Sequence, residues 1–245
     1  MLTLDAIPTS TPLRQAAPPT RTAVQSLQRY LRLGVRLCWR RLGEGLIRLR
    51  AAWLRALAAP RLRGITRLCL GSGNAPLPGW TNVDLDGLPD VRLDLAGRLP
   101  IADASVSRIY SEHLIEHLSC EKGEALLREC RRVLAPEGVL RIATPDLTAL
   151  VDAYRDDWRA QAWVQWPGHA WIDTPARMLN LAMRGWGHQH VYDAHELEHR
   201  LQRAGFTDIR RCNLGRSAHQ DLAGLETRAD SKLIFEARAP REDHP

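Results

Sequence analysis

The strongest chemical signal in the chain is Leu68-Cys69-Leu70-Gly71-Ser72-Gly73-Asn74, followed by Asn82-Val83-Asp84. An apolar run ending in a glycine pair lets the backbone turn tightly and lets a ligand come within van der Waals distance. A carboxylate closing the neighbouring apolar segment suits a ribose diol, which it binds by charge-assisted hydrogen bonds. The pair therefore predicts a nucleoside site at the carboxyl ends of parallel strands. A dinucleotide fits badly. GSGNAP lacks the third glycine, and Gly71–Trp80, with Pro76 and Pro78, leaves no room for the full helix on which a pyrophosphate rests.

A second group of reactive side chains follows in Tyr110-Ser111-Glu112-His113-Leu114-Ile115-Glu116-His117-Leu118, with His188 and His190 further on. An imidazole or carboxylate near a reacting hydroxyl can take its proton. Glu112, His113 and His188 are the expected catalytic residues, while Glu116 and His117 also read as groups that merely hold the local structure in place. His113 to His117 matches HxxEH, the inverted zincin pattern. Such a pair belongs on a long core helix with a further ligand downstream, whereas here it follows a strand directly. No metal is expected on this reading.

These residues need a scaffold. Strands are predicted at Ile65–Leu70, Thr81–Val83, Val91–Leu95, Val106–Ser111, Val139–Thr144, Phe206–Cys212 and Lys232–Ala237. Ser119 caps a helix running to Leu134, where Pro136 and Gly138 stop it. A helix over 147–158 and another from Asp193 to Ala204 complete the alternation. That pattern predicts an α/β, doubly wound, mostly parallel sheet. Residues 159–190 interrupt the rhythm. Five of the eight Trp lie between 158 and 186, and they read either as core or lid packing or as flat faces covering an acceptor.

The front of the chain differs from the rest. Residues 1–20 read as a flexible, proline-rich tail without the features of a secretory signal. Between Arg21 and Ala59 stand nine Arg and one acidic residue, Glu44, within a total net charge of +6. Leu27, Leu31, Val35, Cys38, Leu42, Leu46, Leu49, Trp53 and Leu57 form an apolar helical stripe there, with arginines opposite. Residues 21–60 are thus a basic amphipathic extension. It suits packing on its own domain or a second copy in a homo-oligomer, peripheral contact with an anionic membrane, or nucleic acid. Five scattered cysteines without a CxxC pair argue for a reduced, cytoplasmic protein, and no apolar run approaches the ~20 residues of a membrane span.

With these residues placed, the stretch from Ile65 to Ala237 resembles class I S-adenosylmethionine-dependent methyltransferases. The motifs are LCLGSGN (68–74), NVD (82–84), YSEHLIEHL (110–118), RECRRVLAPEGVLRIATPD (128–146) and AGF (204–206). Gly79-Trp80 and the segment from Trp186 to Asp193 are also similar to methyltransferase-like proteins that bacteria carry with cell-surface polysaccharide genes. The resemblance implies a Rossmann-like domain over 61–240 with a Trp-rich insertion at 159–190, and S-adenosyl-L-methionine as cofactor. It implies Gly71 and Gly73 under the methionine part, Asp84 at the ribose, Asp94 and Leu95 at the adenine, and Ser111 and Glu112 facing the sulfonium. The expected acceptor is a small molecule or a glycan- or lipid-linked group, methylated on oxygen. Val106-Ser107 stands where many relatives have Phe-Asp. A competing reading is an inactive Rossmann-like protein whose basic helix docks on membrane or nucleic acid. Nucleic acid as a methylation substrate is disfavoured, since the domain beyond Arg63 has no basic stripe and no NPPY-like run.

Overall fold

The apolar run before the glycines forms the inner strand of a seven-stranded sheet. The structure, a computed structural model, describes residues 45–47 and 49–241. The chain divides into residues 1–49 and 50–245. Of the first unit, residues 45–47 and 49 are described and helical. The expected tail and most of the basic stripe lie outside the described residues.

In the second unit, residues 50–58 form helix α1 and Arg67–Leu70 form β1. There follow β2 (Thr81–Asp84), β3 (Val91–Arg92), β4 (Val106–Glu112), α2 (Cys120–Val133), β5 (Leu134–Thr144) and α3 (Leu147–Arg155). The chain closes with α4 (Pro175–Arg184), α5 (Ala194–Arg203), β6 (Thr207–Arg211) and β7 (Leu233–Arg238). The strand order is β3-β2-β1-β4-β5-β7-β6. β1 to β5 pair in parallel, and β7 runs against both of its neighbours. This is the Rossmann-like α/β sheet that the alternation of elements predicted.

Leu68, Leu70, Val83, Ile109, Leu140 and Ile142 are all buried. Strands covered on both faces carry such near-continuous apolar runs. The sheet order reverses between β1 and β4, with Leu70 opposite Ser111 at the carboxyl edge. Ligands of open α/β sheets bind in the crevice at this kind of switch point.

Two details depart from the expected elements. The β1–β2 connection contains no helix at all. Its backbone is held instead by Asn82, which accepts from Leu77 N (2.7 Å) and donates to the carbonyls of Leu77 (3.2 Å) and Trp80 (3.1 Å). The Trp-rich stretch, for its part, contains a helix that aromatic and glycine residues hid from the periodicity. Its start was marked: Thr174 Oγ1 accepts from Arg177 N, and Pro175 occupies the first turn. α3, α4 and the intervening segment build a small core of their own around Trp158, Trp163, Ile172 and Met178.

Candidate functional site

The loops that follow β1, β2 and β4 meet a segment of the β6–β7 connection around a cavity of about 570 Å³. That volume lies within the range of small-molecule sites. Gly71, Ser72, Gly73 and Asn74 line it from β1, Asp84 and Asp86 from β2, Glu112, His113, Leu114 and His117 from β4, and Leu225, Thr227 and Arg228 from the β6–β7 connection.

Gly71 (φ +76°) and Gly73 (φ +52°) both take the left-handed conformation that favours glycine. A Cβ on Gly71 would stand 2.8 Å from Leu114 Cβ, so the glycine lets the segment after β4 close onto the loop. At Gly73 a Cβ would meet nothing within 4 Å, which leaves open space beside the backbone on this cavity-lining residue. The Asp84 carboxylate accepts from Gly73 N (2.7 Å), Leu85 N (2.6 Å) and Asp86 N (3.2 Å). A carboxylate has roughly four acceptor sites, so Asp84 shapes the glycine loop and still has capacity for a ligand hydroxyl. Gly87 clamps the loop from the other side, with a Cβ position only 2.1 Å from Gly73 O.

β4 ends in a sharp break. His113 has φ +50°, an uncommon and costly conformation for a residue with a side chain. Its N–H donates to Ala143 O (2.9 Å), and the chain then makes a single 3-10 turn over Ile115–His117. The inverted zincin pattern is therefore not carried on a helix. The His113 ring is buried. Its Nδ1 lies 3.0 Å from Glu116 Oε1, a contact short enough for an ion pair but without full hydrogen-bond geometry. Its Nε2 is buried without a hydrogen-bond partner, 3.9 Å from Asp230 Oδ1. Glu116 itself is fully buried, and its Oε2 accepts from Thr144 Oγ1 (2.9 Å). Burial pushes its carboxyl upward, but the His113 ring and the Thr144 hydroxyl outweigh this and hold it below the usual range.

Glu112 is differently placed. It accepts from Thr227 N (3.0 Å), Thr227 Oγ1 (2.7 Å), Arg228 N (3.2 Å) and Ser231 Oγ (2.7 Å). Burial raises its pKa, yet the hydrogen bonds from Ser231 and Thr227 prevail and leave it below the usual value. These donors consume most of its acceptor capacity. A second anchor holds the same connection one strand away. Arg141 on β5, fully buried, bonds Glu226 (2.6 Å), Glu236 (2.7 Å) and Arg216 O (3.0 Å). Nothing local in the sequence announced the pairing of Arg141 with Glu226 and Arg216 or of Glu112 with Thr227, which joins residues 75 or more apart.

Of the residues expected at the cofactor, Gly71, Gly73 and Asp84 line the cavity, while Asp94, Leu95 and Ser111 do not. Leu95 is part of the main core, and Asp94 accepts from Ala96 N (2.9 Å). Among the expected catalytic groups Glu112 and His113 line it and His188 does not. His188 packs edge-on against the cavity residue His117, ring centroids 4.8 Å apart. None of the five clustered Trp lines the cavity. Trp158 and Trp163 are core, and Trp166, Trp171 and Trp186 are about half exposed. Cys69 at the cavity floor is an inert thiol, pushed up to about 12 by burial and by Asp84.

Residues 80–142, which run from the end of the glycine loop through most of β5, match a family model described as a methyltransferase domain. The stretch is similar to a methyltransferase domain. The matched model is that of an enzyme domain, and the likeness implies S-adenosylmethionine as the cofactor. No curated protein matches the chain. Similar solved structures include a SAM-dependent methyltransferase from Archaeoglobus fulgidus, 16% identical, with 78% of this chain and 93% of that one covered and a TM-score of 0.46. Another is a methyltransferase from Mesorhizobium loti, at 20% identity, 76% and 96% coverage and a TM-score of 0.43. A third is the CurJ carbon methyltransferase, at 14% identity and a TM-score of 0.42, of which the chain spans about half (49%). At these values the likeness adds nothing to the topology read directly from the strands.

The site accepts the implied cofactor on its own geometry. The space beside Gly73, the remaining acceptor capacity of Asp84 and the cavity volume all suit a nucleoside ligand.

Proposed function

We propose that the protein transfers a methyl group from S-adenosylmethionine to a hydroxyl of a small or glycan-linked acceptor. The carrying observation is the juxtaposition, around one cavity, of the glycine loop with its Asp84 clamp and the buried, conformationally strained His113. When bound, the cofactor supplies a methyl group on a positively charged sulfur. Gly71 and Gly73 would form the loop against which the methionine part is held, and Asp84 would accept from the ribose. Arg228, the one Arg or Lys among the lining residues, would pair with the carboxylate of the methionine part.

His113 is the proton acceptor in this reading. A proton on Nδ1, beside the Glu116 carboxylate, leaves the lone pair on Nε2 for an acceptor hydroxyl. The charged Glu116 then stabilises the imidazolium that forms, and because it is already buried and in place, this costs no reorganisation during reaction. Glu112 serves as the clamp that orders the β6–β7 connection over the cavity, not as a base. Trp186, about half exposed and tilted against His188 behind the cavity residue His117, offers an aromatic face suited to a sugar-bearing acceptor.

The cofactor claim is checked by calorimetric titration with S-adenosylmethionine. Asp84→Ala is expected to weaken binding by about tenfold or more, since it removes a charge-assisted bond worth ~1.5–3 kcal/mol and frees the glycine loop. Asp84→Asn, which keeps the shape, separates the loss of charge from the loss of loop order. Binding unchanged in both variants would remove Asp84 from the site.

The placement proposed for the enzyme is the cytoplasmic membrane face, with residues 21–60 docking on anionic lipid. No helix among the described residues is long and apolar enough to cross a membrane. In α1, Trp53 and Leu57 are 63% and 52% exposed, as one face of an interfacial helix requires. Full-length chain should sediment with phosphatidylglycerol vesicles and not with phosphatidylcholine ones. Equal recovery with both would refute lipid docking.

A further inference from the structure

Four histidines and several carboxylates lie at the end of β4 and in the segments that follow β4 and α4, and the proposed reaction uses only part of them. Glu116, His117 and His188 each offer one ligand atom, and these atoms lie within 4.8 Å of one another. They come from segments some seventy residues apart in sequence, tied together by backbone. Glu116 O accepts from Gln189 N (2.7 Å) and from His190 N (3.1 Å), and Gln189 Nε2 donates to His117 O (2.6 Å).

Each of the three donors is prepared for a cation. His188 Nδ1 is 2.7 Å from Ala182 O. A carbonyl can only accept, so Nδ1 carries the hydrogen and Nε2 is left with the lone pair. Metal-bound histidines are oriented in this way, by a backbone carbonyl on the far nitrogen. The Glu116 carboxylate is steadied by Thr144 Oγ1 and makes no ion pair with an Arg or Lys among the described residues. His117 lines the cavity and stands edge-on to His188, ring centroids 4.8 Å apart.

A neighbouring group, Cys120, His190 and Glu196, has the same spacing but not the same chemistry. There Arg200 Nε already donates to Glu196 Oε1 (2.7 Å), so the carboxylate is neutralised by a guanidinium. A cation arriving there would be repelled. At Glu116 no guanidinium is bound; the neighbour there is the His113 ring, 3.0 Å from Oε1.

We propose that Glu116, His117 and His188 form a binding site for a divalent transition-metal ion, with Zn²⁺ as the first candidate, at the edge of the cavity. Two imidazoles and a carboxylate are a recurrent three-ligand set for zinc, and they leave a fourth position for water or an acceptor oxygen. The same set takes Fe²⁺. Bonds of 2.0–2.1 Å would draw the donor atoms to about 3.3 Å from one another, a contraction that small side-chain rotations supply. The HxxEH pattern thus points to a metal through a set that keeps only part of the residues it names. The break at His113 takes that ring out of the set, and His188 replaces it. The expectation of no metal came from treating His113 and His117 as the pair.

The site shares Glu116 with the proposed methyl transfer, but metal binding is read without that reaction, so its test uses no S-adenosylmethionine. Full-length chain, with any histidine tag removed, is stripped with chelator, titrated with Zn²⁺ by calorimetry, and assayed for zinc and iron by mass spectrometry as purified. The expected result is about one ion per chain, with affinity reduced about tenfold or more in His188→Ala and in His117→Ala. Glu116 is left intact because it also stands beside His113. Should a variant not fold, the visible spectrum of the Co²⁺-loaded parent decides: intense ligand-field bands of a four- or five-coordinate ion support the site, and weak bands of hydrated, octahedral Co²⁺ refute it. Absence of stoichiometric binding, or binding that survives both substitutions, overturns the proposal.

Discussion

His113→Gln is expected to lower the rate of methyl transfer by about 10²–10⁴-fold, the usual contribution of a positioned proton acceptor. Cofactor affinity should stay within a few-fold of the parent, because the glycine loop and Asp84 are left intact. Glutamine approximates the size of the imidazole and cannot take up a proton at neutral pH. The measurement is transfer of labelled methyl from S-adenosylmethionine into a glycan-containing extract, with calorimetry on the same preparations. The two readouts separate a chemical role from a folding one. His113 also occupies a strained backbone position, φ +50°. A residue with a Cβ is held there only when its surroundings over-determine it, which here means the Ala143 carbonyl, Glu116 and the closed glycine loop. If His113→Gln transfers methyl groups as fast as the parent, the strain serves packing alone and the proton acceptor must be sought elsewhere.

Arg141→Met is expected to cost about 3–5 kcal/mol of stability, the usual consequence of removing one partner of a buried ion pair. The loss should appear as a melting temperature lower by roughly 10 °C. The reason is that Glu226 and Glu236, whose side chains are 1% and 9% exposed, would remain in the interior without their cation. Restoring neutrality supplies the control. In Arg141→Met combined with Glu226→Gln and Glu236→Gln most of the loss should be recovered, since replacing all partners of a buried pair is often nearly neutral. Denaturant midpoints at constant m value measure both. Cofactor binding should fall along with stability in the single variant. Glu226 also accepts from Gly215 N (3.0 Å) and immediately precedes Thr227 and Arg228, which line the cavity and grip Glu112. A variant as stable as the parent would show that this triad is dispensable for holding the connection.

The two variants probe different kinds of information. The glycine turn, the Asp84 carboxylate, the helix starts at Ser119 and Asp193, and the alternation of elements were all legible along the chain. Each depends on residues within one turn or one strand, where φ preferences, capping and burial periodicity act locally. The short β1–β2 connection was likewise legible as one that could not hold a full helix. What no local pattern could disclose was the wrapping of the β6–β7 connection over the cavity. It depends on Glu112 and Arg141 meeting partners 75 to about 119 residues away. Hydrogen bonds and ion pairs at that separation leave no period or spacing in a sequence.

The HEHH-type chemistry divides along the same line. Sequence alone determined that histidines and carboxylates crowd the end of β4 and recur near residue 188, and that the site belongs at the carboxyl edge of a parallel sheet. Only the tertiary structure decided their pairing. A single positive φ at His113 ended β4 without starting a helix, turned that ring to Glu116, and left His117 to meet His188 across the Glu116 backbone. The physical reason is that residue type and spacing set which groups are available, whereas one backbone dihedral and two long-range hydrogen bonds set which of them touch.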